Sequence, residues 1–302
     1  MLSIFNYFKH PEYVFRPRQV LRRFGRLGKT PRPFEDVTLP WGATVRVRPN
    51  ENVGSDIFYY GIFDRIVPET IYRLVEKGEL AVEIGANIGQ NCSMMAYKTG
   101  SDGRVIAFEP HPEIFEELRT NAGLWPKRMS QHIQLENFAL SETTGEAWLT
   151  DGSDFHRNRG TASLCEPATM AGRKFKVNIR TLDEYLAKSE KAGVCKIDVE
   201  GHELAVLKGA ERSLSRKAIR DIIFEDFEPM FSPTAEFLRN HDYVLYQLTA
   251  TWWQPILTKV LPGVTPPEGF SYNYLATLDP DRAEKRFQAG GWRCLTCSPL
   301  SG

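Results

Sequence analysis

The chain has 302 residues, with 38 Lys plus Arg against 38 Asp plus Glu, so no net field draws it toward nucleic acid. Its 12% aromatic content is too high for a disordered chain, and its length suits one elaborated α/β domain, alone or with a small cap. The five cysteines (Cys92, Cys165, Cys195, Cys294, Cys297) are odd in number and scattered, which excludes a dense disulfide framework and points to a reducing cytoplasm.

In chain order, residues 1–35 read as a basic N-terminal extension. Leu2, Ile4, Phe5, Tyr7 and Phe8 are too few and too interrupted for a signal h-region, and no apolar run approaches the roughly 20 residues of a spanning helix. Arg16, Arg18, Arg22, Arg23, Arg26, Lys29 and Arg32 crowd this segment, while Val20, Phe24 and Leu27 fall at helical spacing. Two readings stay open: residues 14–32 touch an anionic membrane surface weakly, or a short helix docks on its own domain with a solvated basic face. Pro17, Gly25 and Gly28 break the segment and favour the second.

Residues 36–78 read as a hairpin and helical cap: strands at 37–39 and 44–48, then helices at 55–63 and 68–76. Pro68 suits a first turn, and Ile71, Leu74 and Val75 form the stripe. The loop carrying Tyr59, Tyr60, Phe63 and Asp64 either lies over a pocket or packs.

The main domain is expected at 79–280 and opens with a strand–turn–helix–strand unit over 79–110. Leu80, Ala81, Val82 and Ile84 form an apolar run suited to a strand buried on both faces. Gly85 and Gly89 let the chain turn tightly and approach a ligand closely. A helix can continue from 86 to 98, and a second buried strand follows at 104–108. Beyond it come a helix at 112–121 and a third strand at 132–140. An insert spans 139–193, with a strand pair at 146–149 and 174–179 and a helix at 181–188. The fourth and fifth core strands are expected at 194–198 and 220–224, separated by a helix at 203–214. Strands at 243–248 and 270–278 close the sheet, with a proline-rich loop between them and a tail at 281–302. Cys294-Leu-Thr-Cys297 is a lone CxxC without the second pair or histidines that zinc needs.

This pattern predicts an α/β fold: a doubly wound, mostly parallel seven-stranded, Rossmann-like sheet with one antiparallel edge strand. Ligands of such sheets bind beyond the carboxyl ends of the strands. The polar residues there are Glu83, Asn87, Glu109, Ser141, Asp198, Glu200, His202, Glu225 and Asp226. Glu109, ending the second strand, can accept both hydroxyls of a ribose. The turn Gly85-Ala-Asn-Ile-Gly89 lacks the middle glycine of a pyrophosphate loop, and Glu83 would repel a diphosphate but favour a sulfonium or an α-amino group. Together these favour S-adenosylmethionine over NAD. Asp198 and Glu225 are weighed as Mg²⁺ ligands, but strand-end acids are more often pocket residues, so no metal is expected.

Several linked motifs carry a resemblance: Glu83-Ile-Gly-Ala-Asn-Ile-Gly89, Gly103-Arg-Val-Ile-Ala-Phe-Glu-Pro110, Gly160-Thr-Ala-Ser-Leu164, Thr181-Leu-Asp183, Lys196-Ile-Asp-Val-Glu-Gly201 with Glu203, and Val206-Leu-Lys-Gly-Ala210. From about residue 56 to 225 the chain resembles FkbM methyltransferases, a class I group dependent on S-adenosylmethionine. It departs at Glu83, where Asp is usual, and at His202, where Ala is common. The resemblance implies transfer of a methyl to a hydroxyl of a sugar, glycan or related natural-product acceptor, or of a glycolipid. Glu83, Gly85, Asn87, Gly89, Glu109 and Asp198 are the expected cofactor contacts. An alcohol acceptor must lose a proton, and Asp198 or His202 is the expected base, Glu200 being assigned to binding or structure. Against this stands a helix-capping role for Asp198 and Glu203. A NAD-dependent oxidoreductase and a non-catalytic S-adenosylmethionine-binding module remain the alternatives. Tyr59, Tyr60, Trp252, Trp253 and Tyr272 are candidates for stacking on sugar faces, or for packing.

Overall fold

The computed structural model describes residues 11–15, 32–151, 155, 157–165, 172–186, 188, 190–227, 232–261 and 272–299. The basic segment proposed to meet a membrane lies, at 16–31, outside the described residues. A hairpin of β1 (Glu35–Thr38) and β2 (Thr44–Val47) leads into α1 (Asn52–Tyr60) and α2 (Ile66–Leu74). The core unit follows as β3 (Leu80–Ile84), α3 (Gln90–Thr99), β4 (Arg104–Phe108), α4 (Pro112–Leu124) and β5 (Ile133–Glu136). The chain then builds a separate sheet from β6 (Ala139–Leu140), β7 (Gly145–Thr150), β8 (Ser163–Cys165) and β9 (Lys174–Arg180). It returns through β10 (Ala192–Ile197), α5 (Glu203–Lys208), α6 (Glu211–Ser215) and β11 (Ile219–Glu225). It ends with α7 (Pro233–Asn240), β12 (Val244–Ala250), β13 (Pro255–Lys259), β14 (Asn273–Thr277) and α8 (Pro280–Phe287).

The main sheet runs β13-β12-β14-β11-β10-β3-β4-β5. From β5 to β11 its members are parallel, as expected of strands joined by helices. Strict alternation makes it a central layer. Ala81, Val105, Ala107, Val194 and Ile223 face one core, while Val82, Ile84, Ile106, Phe108 and Cys195 face the other. Helices α1, α2 and α3 cover the first face with Ile57, Ile71 and Met95. Helices α5, α6 and α7 cover the second with Leu207, Leu214 and Leu238.

Several expectations are corrected. The sheet has eight strands, one more than expected, because the proline-rich linker contains β13. Pro255 is the first residue of that edge strand, where its missing N–H breaks no ladder bond. Two strands run against the rest: β13 at the edge, where one was expected, and β14, which sits between β11 and β12. The single third strand at 132–140 divides, β5 joining the main sheet and β6 pairing with β9. In place of a helix at 181–188 there is one 3-10 turn, Leu182–Glu184, and Asp183 accepts the backbone N–H groups of Arg212 and Ser213, both at 2.9 Å. The helix expected at 203–214 breaks at Gly209, where a Cβ would lie 2.0 Å from the Ser141 carbonyl oxygen.

Helix α7 went unread although its start is conventional. Ser232 Oγ accepts the Ala235 N–H at 3.0 Å, and Pro233 opens the first turn. Residues 281–299, expected as part of a tail, pack on the domain. Arg73, 4% exposed, donates to Glu69 and to the carbonyls of Arg286, Ala289 and Gly291 at 2.7–2.8 Å. That guanidinium fastens the C-terminal segment to α2. Cys294 is buried there with its N–H on Glu69 at 2.7 Å.

Candidate active site

A cavity of about 300 Å³ opens at the carboxyl ends of β3, β4, β10 and β11, where the sheet rule places a ligand. Its base is the turn after β3. Gly85 has φ +81°, and a Cβ there would lie 1.9 Å from the Asp198 carbonyl oxygen. The glycine is therefore required by the crossing strand end of β10, a reason additional to close approach by a ligand. Asn87 follows with φ 48°, its side chain accepting the Ile88 N–H at 2.7 Å. Gly89, also expected as a cofactor contact, does not line the cavity. A Cβ on it would meet Leu118 at 2.6 Å and Trp125 at 3.0 Å, so it serves the packing of α3 against α4. The helix expected from 86 starts only at Gln90, because Asn87 and Gly89 have left-handed backbones at φ 48° and 95°.

The other expected contacts do converge. Glu83, 1% exposed, lines the cavity, and neither of its carboxylate oxygens has a hydrogen bond. Burial pushes its pKa up to about 8; the Lys196 ammonium opposes this, and Asp198 and Glu109 add to it. Glu109 accepts the N–H groups of Asn87 and His111, both at 2.9 Å. Each oxygen keeps a lone pair for a further donor. Burial still pushes Glu109 up to about 7 despite those two bonds. Asp198 pairs with Lys196 at 3.1 Å.

Lys196, in sequence only a motif residue, organises the acids. Its ammonium donates to the Gly85 carbonyl at 3.1 Å and lies 3.9 Å from Glu83, in a side chain 6% exposed. A lone lysine inside the apolar strand Val194-Cys195-Lys196-Ile197 was the available signal, since a buried ammonium must find carboxylates. The cavity also recruits Asp64 from the loop before α2, with Asn273 of β14 donating to it at 2.8 Å. The separate sheet contributes Asn158, Arg159 and Gly160. Phe63 and Asp64 thus bring their loop over the pocket, one of the two readings open for it, and Gly160 opens one of the linked motifs; Asn158, Arg159 and Asn273 carried no sequence signal.

Among the expected bases, His202 Nε2 lies 2.9 Å from Ser141 Oγ, and burial lowers its pKa. Glu203, the first residue of α5, reaches back to accept the N–H groups of Val199 and Gly201 at 3.1 and 3.2 Å, closing the turn before the helix. Glu200 has φ 52° and faces the cavity. Desolvation, then the charges of Asp198 and Glu203, raise it to about 7. Glu225 is raised to about 7 by desolvation and by Asp198, Glu200, Glu203 and Asp64. Asp226 is excluded from the cavity lining and accepts the Ser232 hydroxyl before α7. Among the described residues, no three His, Cys, Asp or Glu side chains converge as metal ligands. None of the described helices is long and apolar enough to cross a membrane.

The cavity thus sets several carboxylates around one neutralising lysine. At about 4 Å and an effective dielectric near 20, one cation beside one carboxylate is worth roughly 4 kcal/mol before desolvation. A sulfonium or ammonium gains from this field, and a diphosphate loses by it. The orphaned oxygens of Glu83 and the ribose-ready Glu109 fit the two ends of S-adenosylmethionine.

A family model described as the methyltransferase FkbM domain matches residues 83–245. The hexuronic acid methyltransferase AglP of Haloferax volcanii is 32% identical over 143 residues, covering 46% of this chain and 53% of that protein. The chain therefore spans about half the length of this curated relative. Among solved structures, it is similar to an S-adenosylmethionine-dependent O-methyltransferase from Thermotoga maritima, at 13% identity and TM-score 0.41, over 72% of this chain and 65% of that one. It is also similar to the O-methyltransferase TomG of Streptomyces achromogenes, at 11% identity and TM-score 0.39, over 70% and 78%. With more than half of its residues matched by that one family model, the chain belongs to the FkbM methyltransferase family, and S-adenosylmethionine is its cofactor.

Proposed function

We propose that the protein transfers the methyl group of S-adenosylmethionine to an oxygen of a sugar, with hexuronic acids and glycans containing them as the favoured acceptors. The observation that carries this reading is the acid-lined cavity at the strand ends, with the oxygens of Glu83 making no hydrogen bond and Glu109 placed for a ribose. The hexuronic acid activity in the name of the relative supports the acceptor class. When bound, the cofactor supplies an activated methyl, so the task of the chain is to align the acceptor and remove its proton. Glu109 would hold the ribose hydroxyls and Glu83 the cationic end. Alignment of this kind is worth roughly 7–11 kcal/mol in favourable cases.

For the base we favour Glu200 over Asp198 and His202. Asp198 is occupied by Lys196, and His202 by Ser141. Glu200 faces the cavity with a pKa of about 7, matched to proton removal near neutrality. Glu200→Gln is expected to lower kcat about 100-fold or more and to abolish the acid limb of the pH–rate profile, with S-adenosylhomocysteine affinity held within a few fold. Asp198→Asn and His202→Ala are expected to cost less in kcat. Steady-state transfer of labelled methyl to hexuronates decides this, and an undiminished kcat in Glu200→Gln removes the assignment.

A further inference from the structure

Three exposed aromatic rings lead outward from the cavity. Phe227, Tyr272 and Trp253 are 65%, 50% and 62% exposed, so core packing does not explain them. Glu225 and Asn273, which line the cavity, lie two positions before Phe227 and one after Tyr272. The Asp226 N–H donates to the Tyr272 carbonyl at 2.9 Å, holding the two backbones side by side, and the rings of Phe227 and Tyr272 lie 4.6 Å apart. Strand β12 flanks β14 on its far side. Its direction brings the β12–β13 turn, with Trp253, to this same end of the sheet. Trp253 is set edge-on against Trp252, with centroids 4.6 Å apart. Stepping from β11 across β14 to β12 spans two strand spacings, about 10 Å. Of the other stacking candidates, Tyr59 packs against the core.

An exposed apolar row bordering a polar cavity is the signature of a binding surface, and flat rings offer apolar faces with little entropy to lose. We propose that Phe227, Tyr272 and Trp253 hold the sugars flanking the one to be methylated, so that the acceptor is an oligosaccharide chain and not a free monosaccharide. This rests on the sugar-acceptor reading above.

The test presents the full chain, with S-adenosylhomocysteine, to an array of hexuronate-containing glycans from monosaccharides to hexasaccharides, and measures methyl transfer to the same set. Wild type is expected to prefer the longer glycans by about tenfold or more in apparent affinity. Phe227→Ala with Tyr272→Ala, and Trp253→Ala alone, are expected to lose that preference while binding S-adenosylhomocysteine as wild type does, which shows that they fold. Retention without chain-length preference, or variants that keep the preference, overturns the row. In that case transfer to monosaccharides would leave the sugar-acceptor reading standing. If no glycan is retained or methylated while a small phenol is, both fall.

Discussion

Replacing Lys196 with Met is expected to destabilise the protein by about 3–5 kcal/mol at pH 8, the range for removing one partner of a buried ion pair. Lys196 is buried, and its ammonium lies among Glu83, Asp198 and the Gly85 carbonyl. Without it the carboxylates lose the ammonium that lies among them. The loss should depend on pH. In the folded chain the pKa of Glu83 is raised to about 8, and those of Glu109, Glu200 and Glu225 to about 7. The native state therefore holds more protons than the unfolded chain above the ordinary carboxylate range. The stability contributed by these groups is present below about pH 4.5 and is lost as pH rises through 7 to 8. Lys196→Met deepens that loss, so the variant should be closer to wild type at pH 6 than at pH 8. Denaturant unfolding at both values measures it. An equal deficit at the two pH values contradicts the electrostatic account.

Gly85→Ala is expected to cost about 3–4 kcal/mol and to abolish measurable cofactor binding. Two penalties add: the left-handed backbone at φ +81°, roughly 1–2 kcal/mol for an L side chain, and overpacking against the Asp198 carbonyl, roughly 1–3 kcal/mol. Gly78→Ala separates them. It has φ +84° and nothing within 4 Å of a Cβ, so it carries the backbone penalty alone. Thermal melts should rank wild type above Gly78→Ala and Gly78→Ala well above Gly85→Ala. Two equal shifts would show that the strand crossing at Asp198 is unimportant.

Five core strands and the cofactor turn were legible because each is a short apolar run ended by glycine or an acid, a pattern local to the chain. Glu83 and Glu109 were legible because strand ends are where such sheets bind. What stayed hidden depends on contacts between distant segments. Arg159 reaches the cavity through a sheet built apart from the main one. Helix α8 buries only Ala283 and Phe287, one turn apart, so it is amphipathic but its low overall hydrophobicity makes it look like part of a solvated tail. Gly89 looked like a ligand contact because a glycine made for packing and one made for a ligand are identical in sequence. The raised pKa of Glu200 was hidden because it comes first from desolvation and then from neighbouring acids, both of which only the fold assembles.

Isothermal calorimetry of the full chain with S-adenosylhomocysteine and with NAD tests the central claim most directly. Saturable binding of S-adenosylhomocysteine at one site per chain, lost in Gly85→Ala, with no heat from NAD, is the predicted result. Binding of NAD in its place would contradict the reading of the acid-lined cavity as a site for a cationic methyl donor.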